Sequence, residues 1–187
     1  MTLKNSERGF SLIELLVVIG IIGILVAVLT ASFSEARQNA RNKAMRTTLS
    51  ETQLALELYK AQNGEYPTAR SVCATGSTVR TVQSTTCGGT FPYIDGMVPN
   101  FIAALPSHTA SARSDCVITY AVAADQSYYK LTAVNCYEGA SSQAEGIKQD
   151  DEFARCPSTC PSSGSCVPSS AGFDQSMAVY SAGGECL

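Results

Sequence analysis

Residues 15–29 read LLVVIGIIGILVAVL, a run without one polar side chain, and its apolar character reaches back to Phe10. As a helix of about twenty residues, such a segment spans ~30 Å, the thickness of the hydrocarbon core of a bilayer. Counting Ile, Leu, Val, Met and Phe, residues 10–33 hold 16 of 24, whereas the other 163 residues hold 29, roughly 18%. That remainder falls below the ~20% at which a core becomes hard to build. The 45% hydrophobic average of the 187-residue chain is therefore a sum over two unlike parts. A cytosolic enzyme with one large core is a poor fit. A cleaved secretory signal fits poorly too, because it needs an apolar stretch of only ~7–15 residues and an A-x-A-like site. The run here is longer, and Thr30-Ala31-Ser32 is a weak site.

The thin remainder carries eight cysteines, Cys73, Cys87, Cys116, Cys136, Cys156, Cys160, Cys166 and Cys186. An even count in a poorly cored domain reads as a disulfide framework formed in an oxidising compartment. The competing reading is a metal site. Cys156-x3-Cys160-x5-Cys166 has loosely metal-like spacing, but the chain has no C-x2-C pair and His108 is its one histidine. Disulfides are expected, and no metal or cofactor. The net charge is −3, and from Ser71 onward ten acids face five bases. Such a half repels phosphate backbones, so no nucleic-acid partner is expected.

Glu14 breaks the picture of a plain anchor. It lies five positions into the apolar segment counted from Phe10, where a carboxylate is expensive and marks function by default. Arg8-Gly9-Phe10-Ser11-Leu12-Ile13-Glu14-Leu15-Leu16 resembles the prepilin cleavage and methylation motif of type IV pilins and of the pseudopilins of type II secretion. The likeness is close over residues 4–30 and weaker as far as Pro67. It implies an α+β pilin fold: one long N-terminal helix packed on a small antiparallel sheet with disulfide-rich loops. It also implies four parts, a cleaved leader (1–9), a transmembrane and filament-core helix (10–33), its amphipathic second half (34–67) and a disulfide-rich head with a variable C-terminal region (68–187). In such proteins a membrane prepilin peptidase cuts after the glycine, here Gly9, and methylates the new amino terminus, here Phe10. The helix is kept and becomes the packing core of a filament.

The physics agrees with that implication. Cleavage leaves a positive amine on Phe10, about one helical turn from Glu14. In a filament, Glu14 of one subunit can pair with the amine of a neighbour, which compensates its burial and sets the axial register. Gly20 and Gly23 allow close helix approach in an apolar environment. Gly23 occupies the position where pilin helices often loosen on assembly, while Ala31 stands where many major pilins carry a proline. Topology holds a conflict. Lys4 and Arg8 precede the span, whereas Arg37, Arg41, Lys43 and Arg46 follow it, so the positive-inside rule would leave the head in the cytoplasm. The cysteines and the resemblance require the head outside.

Met45, Leu49, Thr52, Leu56 and Tyr59 form an i, i+4, i+7, i+11, i+14 stripe, the mark of one buried helical face, with Leu54 and Leu58 expected to widen it. Asn63-Gly64 and then Pro67 stop the helix. The basic residues 37–46 suit either lipid headgroups before extraction or a solvated face. Residues 68–90 read as a polar loop stapled by Cys73–Cys87, and 98–106 as a short helix with proline near its start. Cys116–Ala124 and Ser127–Cys136 alternate as strands around an Asp125-Gln126 turn, which would bring Cys116 opposite Cys136. Met177–Ser181 is a candidate last strand. For the remaining four cysteines, Cys160–Cys166 with Cys156–Cys186 is the expected pairing out of three.

An enzyme is not expected, since His108 lies in a polar loop without a nucleophile motif. Gln149-Asp150-Asp151-Glu152 reads as a solvated acidic turn rather than a calcium loop. The resulting expectation is a pilin: a homo-oligomeric filament subunit, held in the inner membrane before assembly by its helix and handled there by the assembly machinery. Its destination is an extracellular pilus or a periplasmic pseudopilus. The alternative is a minor pilin or type II secretion pseudopilin that acts as a tip or adhesion module.

Overall fold

A computed structural model describes residues 11–87, 92–140, 146–162, 166–168 and 172–187, with the side chains of 29–32 and 86–87 outside that set. The chain divides into two compact units, Met1–Arg37 and Gln38–Leu187. Helix α1 covers Leu12–Asn63. It ends where the sequence places the stop: Gly64 takes φ 86° and its N–H bonds Lys60 C=O at 2.7 Å, the left-handed cap that glycine tolerates best.

In the larger unit, β1 (Val79–Gln83), β2 (Val117–Ala123), β3 (Tyr129–Val134) and β4 (Met177–Tyr180) form one antiparallel sheet in sequence order. Alternation decides its inner face. Val82, Ile118, Tyr120, Val122 and Leu131 are buried and share one cluster with Met45, Leu49 and Leu56 of α1. Thr52 sits in the same helix stripe, and its hydroxyl is satisfied by Thr48 C=O at 2.7 Å. Leu54 and Leu58 do not widen the stripe; they are 72% and 48% exposed. At about 100° per residue, each lies about 200° from Leu56, on the far face. Ala55 takes the buried flank instead.

The hairpin turns where expected, with Gln126 at φ 57°. Strict register, set by Val117 opposite Val134, would bring Asn135 to Cys116. Asn135 takes φ 56° and lets Cys136 come opposite instead, so Cys116 and Cys136 are bonded with Cα atoms 4.5 Å apart.

Three expectations need correction. Residues 68–90 are not all loop: β1 forms there, closed by paired Thr75–Thr81 backbone bonds. Its polar composition (VRTVQ) hides an edge strand with one buried side chain, Val82. Residues 98–106 form no helix. Phe101 and Ile102 N–H both close onto Met97 C=O, and Pro106 bars the helical region at Leu105. Finally, the tail cysteines interleave, with Cys156 bonded to Cys166 and Cys160 to Cys186. The turn in which Cys160 N–H bonds Pro157 C=O separates Cys156 from Cys160. Cys156 then lies against Lys130 of β3, and Cys160 receives the tail. Cys156, Cys160 and Cys166 make a second small buried cluster with Phe173. Cys73 is disulfide-bonded, while the side chain of its expected partner Cys87 is outside the described residues.

Candidate assembly interface

The apolar side chains at the start of α1 are exposed. Leu12, Ile13, Leu15, Leu16, Val17, Val18, Ile19, Ile21, Ile22, Ile24, Leu25, Val26 and Val28 are all exposed, from 47% to 82%, and so is Phe33. Exposure this large, on every side of a helix, is the signature of a segment built for lipid or for other copies of itself. Fully burying each such side chain contributes about 1.5–3 kcal/mol, so the surface is far too costly to leave in water. The helix is long and apolar enough to cross a membrane. A Cβ added at Gly20 or Gly23 would meet nothing within 4 Å.

Glu14 is not idle at the start of that helix. Its carboxylate accepts the Ser11 N–H at 2.9 Å, while Ser11 Oγ accepts the Glu14 N–H at 3.3 Å. This is a capping box, two otherwise unpaired donors satisfied reciprocally. The signal stood in the sequence as Ser followed three residues later by Glu ahead of an apolar run. Gly9 and Phe10, the expected cleavage and methylation positions, lie outside the described residues.

The second half of α1 is fixed to its unit by polar side chains that the sequence did not single out. Glu138, 6% exposed, accepts from Arg41 Nε at 2.7 Å, from Arg41 Nη2, from Ala112 N–H at 2.7 Å and from Ser111 Oγ at 3.2 Å. Arg41, chiefly by hydrogen bonding, holds this carboxyl below its usual range. Asn42 adds two bonds to the Glu138 backbone, at 2.9 and 2.8 Å. Arg46 pairs with Asp151 at 2.9 Å and lies 5.1 Å from the centre of the Phe153 ring. Two of the four basic residues assigned to headgroups or solvent are thus used within the unit, and Lys43 is exposed. Asp151 is likewise not a solvated member of the 149–152 turn, for it also accepts the Phe153 N–H at 2.8 Å. Among the described residues no group of three His, Cys, Asp or Glu side chains could hold a metal. His108 Nδ1 lies 3.4 Å from Ser84 Oγ. Ser84 is buried, and its oxygen accepts the Ile118 N–H at 3.2 Å.

Residues 4–30 match the family described as the prokaryotic N-terminal methylation motif. The chain carries a prepilin-type N-terminus. Its architecture is α+β and pilin-like. Among curated proteins it is similar to type II secretion system core protein G of Klebsiella michiganensis, 34% identical over 65 residues, which cover 35% of this chain and 46% of that protein. Core protein G of Escherichia coli is 32% identical over 68 residues, 36% of this chain and 47% of that protein. The type IV wide pilus major component PilA4 of Thermus thermophilus is 39% identical over 62 residues, 33% of this chain and 47% of that protein. The chain thus spans about half the length of the curated relatives it matches. No solved structure matches the chain significantly.

Proposed function

We propose that this chain is a structural subunit of a type IV pilus or pilus-like filament, without catalytic activity of its own. A prepilin peptidase cuts after Gly9 and methylates Phe10. The helix holds the subunit in the inner membrane with the disulfide-bonded head outside, and the assembly machinery then moves it into a homo-oligomeric filament. The observation that carries this reading is the apolar stretch of α1 over residues 12–28, exposed on all sides and interrupted by one carboxylate, Glu14. Filament neighbours replace lipid around residues 12–33, at the notch of Gly20 and Gly23 above all. Glu14 exchanges its Ser11 contact for the amine of an adjacent subunit. The resemblance to core protein G supports a periplasmic pseudopilus as the second destination, and abundance separates the two: a pilus subunit dominates sheared surface filaments, and a pseudopilin or tip protein does not.

The test is Glu14→Ala and Glu14→Gln in the producing cell, scored for leader removal by gel mobility and for filaments by shearing. Leader removal should proceed in both variants while filament yield collapses. Normal filament yield from either variant refutes the register role.

A further inference from the structure

The larger unit keeps two apolar features that its own core does not use. Among the described residues of that unit, the large hydrophobic side chains left exposed are Leu54, Leu58 and Val72. Val72 stands alone at a turn, and a single exposed apolar side chain is ordinary. Leu54 and Leu58 are one helical turn apart and adjoin as a ridge, which the exposed Ala61 extends. The ridge lies on the side of α1 opposite the buried Leu56, so it points away from the sheet.

The second feature is a cavity of about 240 Å³ in the segment between β1 and β2. Its walls include Tyr93, Val98, Ala103, Ala104, Leu105 and Pro106. The hydroxyls that also line it are engaged within the head. Tyr93 donates to Pro106 C=O at 3.0 Å, and Ser107 Oγ pairs with Thr109 Oγ1 at 2.8 Å. Ser84 Oγ accepts the Ile118 N–H at 3.2 Å and lies 3.4 Å from His108 Nδ1. The surface left on offer is mostly aliphatic, and it suits a branched apolar side chain better than a polar ligand. Neither Leu54 nor Leu58 lines this cavity, so ridge and cavity are separate surfaces of one unit.

We propose that the Leu54–Leu58 ridge of one copy seats in the cavity at Val98–Pro106 of the next copy in the filament, an inference that rests on the filament reading above. A ridge that meets an unlike cavity leaves one ridge and one cavity free in every pair, so the contact propagates instead of closing. Its area also selects the occupant. Two leucines and a small cavity bury far less than the ~1,200 Å² that a freely diffusing partner protein needs. A neighbouring copy, already held alongside through the apolar part of α1, supplies the effective concentration that so small a contact requires. The contact therefore adds to the helix packing and does not replace it.

Photo-crosslinking in the producing cell tests it, with benzoylphenylalanine in place of Leu54 in the full chain. After irradiation, sheared filaments should give a ladder of dimer, trimer and longer species whose linked peptides join position 54 to residues 98–106 of another copy. Two variants remove the contact from either side: Leu54→Asp combined with Leu58→Asp, and Ala104→Phe, which fills the cavity from an exposed position. Each should keep the leader removal, near-ultraviolet circular dichroism and thermal midpoint of the parent. Each should lower filament yield by roughly ten-fold or more, the loss of about one buried leucine per contact. Absence of links, links confined to other residues, or a ladder that stops at the dimer overturns the proposal. Parental filament yield from either variant refutes this contact alone, whereas a parent that forms no filaments refutes the filament reading and this contact with it.

Discussion

Leu54 and Leu56 are the same residue type two positions apart on one helix, and they predict opposite outcomes. Leu56 is fully buried against the sheet, and Leu54 is 72% exposed on the opposite side. Truncating Leu56 to alanine removes buried methyl groups and leaves a cavity that packed neighbours only partly fill, a loss of about 2–5 kcal/mol. Truncating Leu54 removes surface already in water and should cost within about 0.5 kcal/mol. In a head of this size, each kcal/mol moves a thermal midpoint by about 2–4 °C. The assay is urea and thermal unfolding of the full chain in detergent micelles. It is read by the near-ultraviolet signal of the tyrosines, which report on the head because α1 carries one tyrosine, Tyr59, among the chain's eight. Leu56→Ala should unfold at clearly lower urea and temperature, and Leu54→Ala should coincide with the parent. Equal shifts for the two variants would refute the helix phase and with it the packing of α1 on the sheet.

Glu138 has its folded carboxyl value depressed, so its stabilisation is present above the ordinary carboxylate value of about 4.3 and is lost as pH falls through the lower folded one. The urea midpoint of the parent should therefore drop on acidification below about pH 4, and Glu138→Gln should flatten that drop; parallel curves would contradict the assignment. Glu138→Ala, which also leaves the Ala112 N–H without an acceptor, should cost about 1–3 kcal/mol at neutral pH. Proteolysis under non-reducing conditions with peptide mass analysis should recover Cys156 linked to Cys166 and Cys160 linked to Cys186. Recovery of a Cys160–Cys166 peptide would show the interleaved tail to be wrong.

The N-terminal helix was legible in the sequence because it rests on local rules. An unbroken apolar run, a charge at one fixed offset and a glycine cap need no tertiary information, and α1 ends at Asn63 as the Asn-Gly pair dictates. The stripe Met45, Leu49, Thr52 and Leu56 was legible for the same reason, since a buried face has a period. Widening it with Leu54 and Leu58 ignored the angle and counted hydrophobicity alone. The hairpin was readable from its alternation, but the Cys116–Cys136 bond depends on Asn135, an extra residue at positive φ that no spacing rule supplies. The parts that escaped are long-range. Arg41 and Glu138 stand 97 positions apart, and nothing in either neighbourhood announces the other. The tail disulfides interleave, which spacing cannot rank. Strand β1 hid in polar sequence because an edge strand needs only one buried side chain.

The central claim is that residues 10–33 are retained and matured as the core of a filament, and intact-mass and N-terminal peptide analysis of the protein from assembled filaments tests it most directly. Filament protein should begin at Phe10 with a methylated amine. A chain that keeps residues 1–9, one that begins beyond the apolar run, or one with an unmodified Phe10 amine would contradict it.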